Sequence, residues 1–201
     1  MKKILVLLSF VLAFGAGVPK VDAQITLLPE EGLPKIALYV FLDPKGISDP
    51  TASAAKIHQE LKAEIEKGKK ASVLPFDSTN KILRRYVREN TSADTAREAD
   101  SGFIVKQKDL IALAGDAQAD YVLFLNARVS SDQVKWNVWT GIRSKRTILF
   151  EMVLADKEAK NYLIDEVFSE TGSAQGTAYD RAFNKALVKI LEKIDFSKID
   201  F

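Results

Sequence analysis

The chain has 201 residues, 29 Lys and Arg against 27 Asp and Glu, one histidine and no cysteine. The missing cysteine excludes disulfides, thiol nucleophiles, thiolate metal sites and lipid attachment to an amino-terminal Cys. The near balance of charge excludes a global field that would draw the protein to nucleic acid or anionic lipid, so any basic patch acts only locally.

Residues 1–23 have the parts of a secretory signal peptide: Lys2 and Lys3, an apolar stretch over 4–18, then "VDA" before Gln24. The stretch falls short of the roughly 20 apolar residues that span a bilayer, and Ser9, Gly15 and Gly17 dilute it. Cleavage after Ala23 is expected, leaving no transmembrane segment and no lipid anchor. As an uncleaved anchor the two lysines would still orient the rest of the chain outside the cytoplasm. Either way the protein is expected to be exported, to the periplasm or beyond the cell. Lys2, Lys3, Lys20 and Asp22 carry the whole formal excess of +2, so the mature chain is formally neutral.

Residues 24–34, with two prolines and "PEEG", are expected to be a lead-in arm, and residues 35–201 a single domain. Residues 35–43 are continuously apolar from Ile36 to Leu42, the pattern of a strand buried on both faces. Over 53–67, Ala54, Ile57, Leu61 and Ile65 recur at helical spacing, and Gly68 follows as a terminator. A short strand is predicted at 71–76. A second helix, capped by Asp77 or Ser78, runs to about Glu89, with Ile82, Leu83, Tyr86 and Val87 inside and Lys81, Arg84, Arg85 and Arg88 outside. Residues 90–102 read as a loop, "FIV" at 103–105 as a strand, and 106–118 as a helix closing near Gly115.

The texture then changes. A central strand is predicted at 121–125 and an alternating one at 134–140, followed by strands at 146–156 and 160–172, a four-stranded antiparallel meander. "GSAQGT" breaks the chain before a helix over 179–194, with Ala182, Phe183, Ala186, Leu187, Ile190, Leu191 and Ile194 as its stripe. The expected fold is α+β: early strand-helix units, a C-terminal antiparallel meander and a closing amphipathic helix.

"DLIALAGDAQADYVLFLNARV" and "MVLADKEAKNYLIDEVFSETG" carry a resemblance. A helix ending in "ga", a "DYVL" strand and a hairpin resembling "lvda.tg.il" are similar to a group of bacterial envelope domains. The group includes the periplasmic domain of the curli secretion channel lipoprotein, the lipoprotein activators of penicillin-binding proteins, and the amino-terminal domain of the Tol-Pal propeller protein. The likeness runs by element order over about 35–194. It implies a non-catalytic domain that docks onto envelope proteins or builds oligomeric rings. The lipidated cysteine of the channel and the activators has no counterpart here, nor do the channel's membrane hairpins, which argues against a lipid anchor or a pore.

Catalytic constellations are sparse. His58 is the sole imidazole, offset from its helix's stripe and expected at the surface or its boundary. One His without Cys leaves no His-rich zinc site and no Cys-His pair, and no "GxSxG" elbow supports a triad. "ADSGF" at 99–103 would need a second Asp100 from a symmetric dimer to act as a protease dyad. Asp116 with Asp120, and Asp165 with Glu166 and Glu170, match no calcium loop and are expected to be solvated. No phosphate-binding glycine loop or dinucleotide fingerprint occurs, so no cofactor, metal or catalytic residue is expected.

Two surface features remain. Trp139 shares an alternation face with Lys135 and Asn137, opposite Trp136 and Val138; it is an interface anchor if that face is open, and core if helices cover both faces. Arg84, Arg85 and Arg88, with Lys81, and Arg143, Lys145 and Arg146 at an expected hairpin tip, form a basic set for an acidic partner or wall polymer. The expected function is a non-enzymatic envelope domain that binds a partner protein, or itself, in an assembly. The alternative is a carboxylate hydrolase or small-molecule binder with a pocket.

Overall fold

The computed structural model describes residues 32–42, 47–90, 105–176, 178–194, 196, 199 and 201. The signal segment, Asp100 and nearly all of the expected loop and "FIV" strand lie outside these residues. β1 (Lys35–Leu42) is buried almost throughout, as its unbroken apolar run requires. α1 (Pro50–Lys67) begins at Pro50 rather than Ser53, because Asp49 caps it by accepting from the Ala52 N–H at 2.9 Å. Gly68 ends it as expected, although the left-handed residue is Lys69, at φ +52°. β2 (Ser72–Val73) leads into α2 (Phe76–Asn90).

α3 (Gln107–Ala117) does not close at Gly115. It continues to Ala117, and left-handed Gln118 turns the chain, donating its N–H to the Gly115 carbonyl at 3.1 Å. β3 (Tyr121–Asn137), β4 (Gly141–Asp156), β5 (Tyr162–Gln175) and α4 (Tyr179–Leu191) complete the fold.

Among the described residues, five strands form one mixed sheet in the order β2-β1-β3-β4-β5. β1 is parallel to both β2 and β3, and β3, β4 and β5 are antiparallel. The fold is thus α+β with the expected meander and closing helix, but the meander has three strands rather than four. The polar run after Ala127 does not turn the chain. It continues β3 through a bulge between Val129 and Ser131, keeping its charged side chains paired: Arg128 with Glu151, and Asp132 with Arg146.

Two cores flank the sheet. On one face α1 and α4 bury Ile57, Leu61, Ile65, Phe183 and Ile190 against Leu38, Leu125, Phe150 and Met152. On the other, α2 and α3 bury Leu83, Tyr86, Leu110 and Leu113 against Tyr39, Val122 and Phe124. The Tyr39 hydroxyl donates to the Leu113 carbonyl at 2.8 Å and the Tyr86 hydroxyl to Asp109 at 2.7 Å, which ties both helices down without leaving either phenol unpaired. Burial, then the Asp109 contact, pushes the Tyr86 phenol up to about 12.

Candidate functional site

β5 accompanies β4 only as far as Ser144, and a single bridge joins Arg143 to Gly176. Past that point no third strand among the described residues accompanies the end of the β3–β4 ribbon. Its exposure is unusual for apolar side chains: Trp139 is 92 % exposed, Val138 72 % and Trp136 69 %, with Val134 and Ile142 also exposed. Isolated exposed apolar residues are ordinary, whereas here five are grouped at one end of the ribbon.

The register sorts this end into two faces. Trp136 lies opposite Ile142, and Val134 lies two residues back on the same side. Lys135 lies opposite Arg143, and Gln133 opposite Lys145, on the other side. From Gln133 to Phe150 the chain contains no Asp or Glu. Like charges directly opposed destabilise an isolated ribbon, so the Lys135–Arg143 pair favours an acidic neighbour.

Trp139 is therefore exposed, but not by strand alternation. β3 stops at Asn137, whose carboxamide accepts from the Trp139 N–H at 2.8 Å, and Gly141 at φ +69° completes the reversal. Asn137, Thr140 and Gly141 are turn chemistry, the signal that could have placed the tip at 138–140 instead of 143–146.

The other arginines have different surroundings. Arg146 is not offered to a partner: it is 2 % exposed and grips Asp132 through Nε at 2.7 Å and Nη2 at 2.9 Å. Arg85 pairs with Asp116 at 2.8 Å. Arg84 donates to the Thr51 hydroxyl at 2.7 Å, and Arg88 is exposed. α2 packs on β1, α3 and α1, so its arginines and the hairpin end are two separate surfaces.

His58 is not at the surface. It is 2 % exposed, with its ring edge-on to Phe76 at 5.4 Å and Nε2 without a hydrogen-bond partner. Burial, followed by nearby Lys62, pushes its pKa down to about 4, against a backbone bond with Leu74. Asp165 and Glu166 lie on opposite faces of β5, opposite Val153 and Met152. Glu170 is held below the usual carboxylate range by Lys193. Among the described residues, no cluster of three His, Asp or Glu is arranged to hold a metal. No helix among them is long and apolar enough to cross a membrane, which says nothing of membrane strands.

No family model and no curated protein matches this chain. Among solved structures, it is similar to lipoprotein GNA1162 from Neisseria meningitidis at 13 % identity and TM-score 0.39, over 80 % of this chain and 99 % of that one. It is also similar to the LpoB C-terminal domain from Escherichia coli, at 12 % identity and TM-score 0.35, over 68 % and 81 %. A third likeness is to the PelC dodecamer from Paraburkholderia phytofirmans, at 15 % identity and TM-score 0.35, over 79 % and 84 %. These likenesses are too low in identity and in TM-score to bear on family, activity or partner.

Proposed function

We propose that this is an exported, non-enzymatic envelope domain that binds a partner protein within an assembly, and that the end of the β3–β4 hairpin is its docking element. The observation that carries the reading is the exposed set Trp136, Val138, Trp139 and Ile142 beside Lys135 and Arg143. Large aromatic anchors with a charged border are the usual energetic centre of a protein interface. The partner surface is apolar at its centre and acidic at its rim, because the hairpin end supplies positive charge alone.

The test is crosslinking of tagged full-length protein in its own cells, with variants alongside. A specific envelope partner captured by the parent is lost with Trp136→Ser/Trp139→Ser and weakened by Lys135→Glu/Arg143→Glu, while Arg85→Gln retains it. A protein that is strictly monomeric and captures no envelope protein, or capture indifferent to the tryptophans, overturns the reading.

A further inference from the structure

A second feature lies away from the hairpin. The connection after β1 carries α1 to one face of the sheet, and the connection after β2 carries α2 to the opposite face. Where successive connections diverge in this way, a crevice opens beyond the carboxyl ends of the strands. Here the crevice is a cleft of about 280 Å³, floored by Val40, Phe41 and Leu42. Pro50, Thr51 and Ala54 of α1 form one wall, and Asn80, Leu83, Arg84, Val87 and Arg88 of α2 the other. The α2 positions fall three and four apart, so one helix face lines the cleft over two turns.

We infer that this cleft binds a small amphiphilic anion, one carboxylate or phosphate head on a short apolar body. Among the described residues, the lining contains two arginines and no Asp or Glu. Arg84 bonds across the cleft to the Thr51 hydroxyl at 2.7 Å, a neutral partner that orients the guanidinium without neutralising it. Adjacent Arg85 differs, because Asp116 satisfies its charge. A guanidinium carries five donors in a planar fork that suits a carboxylate or phosphate oxygen pair. Beneath the charged rim, Val40, Leu42, Ala54, Leu83 and Val87 offer an apolar bed, which bare inorganic anions would leave unused.

Titration calorimetry of the mature protein with hexanoate, hexyl phosphate, hexanol and inorganic phosphate tests this. The expected result is saturable binding of hexanoate or hexyl phosphate, at least tenfold tighter than hexanol and than inorganic phosphate. Whichever head binds more tightly separates a carboxylate source from a phosphate source. Arg84→Gln/Arg88→Gln, two exposed side chains, loses that binding at least tenfold with an unchanged circular dichroism spectrum. Trp136→Ser/Trp139→Ser leaves it intact, so the cleft and the docking hairpin stand or fall separately. Absence of saturation by both amphiphiles at 10 mM, equal binding of inorganic phosphate, or binding unaffected by loss of the arginines overturns the inference.

Discussion

At the scale of single residues, His58 shows what the apolar stripe concealed. Its distances from Ala54 and Leu61, four and three positions, are helical spacing, so the buried face of α1 already included it. Residue type argued the other way, and Phe76, which covers the ring, comes from a different helix. A folded pKa near 4 against 6.5 for the free side chain means that the unfolded chain takes up the proton first as the pH falls. The stabilising effect of a neutral His58 is full above about pH 6.5, shrinks through the window below it, and is gone by about pH 4. Urea unfolding at pH 7 and pH 4.5 is expected to show the parent losing about 1–3 kcal/mol more than His58→Leu, the carboxylates being common to both. Equal losses in the two chains would show that folding does not depress the His58 pKa. The Arg146–Asp132 pair was hidden for another reason: its partners meet only through the hairpin register, which composition does not disclose.

At the scale of elements, the helices were legible because amphipathic stripes survive any packing arrangement, and α4 packs the residues its stripe named. How closely α4 lies on the sheet was not legible. Gly172 of β5 sits under α4, where a Cβ would fall 1.8 Å from the Ala182 carbonyl oxygen and 2.8 Å from the Ala186 nitrogen. Both obstacles are helix backbone, which cannot rotate aside. "GSAQGT" read as flexibility, whereas this glycine is a contact, matched by Ala182 and Ala186 on the helix. Gly172→Ala must push α4 off the sheet and is expected to cost about 3 kcal/mol, measured by urea denaturation. Gly115→Ala is the contrasting case. That residue is helical, exposed and has nothing within 4 Å of a new Cβ, so about 0.5 kcal/mol of stability is expected to be gained.

For the molecule as a whole, the division that matters is between a body with two cores and a ribbon end that belongs to neither. The end of the hairpin was misplaced in the sequence because strict alternation carried the strand through 138–140, and the pattern of a wet-faced strand resembles that of a ribbon exposed on both sides. The core clusters contain none of residues 134–143, so folding gains little from them. Replacing residues 135–143 with Asn-Gly keeps Val134 opposite Ser144 and closes the ribbon by a two-residue turn that matches its twist. The shortened protein is expected to unfold within about 0.5 kcal/mol of the parent, as read from urea curves, and to lose the crosslinked partner. A loss of about 2 kcal/mol or more would mean that the hairpin end supports the body, and its exposed tryptophans would then need an explanation other than docking. Unchanged stability with the partner lost would separate folding from recognition, because the ribbon end would then contribute to binding alone.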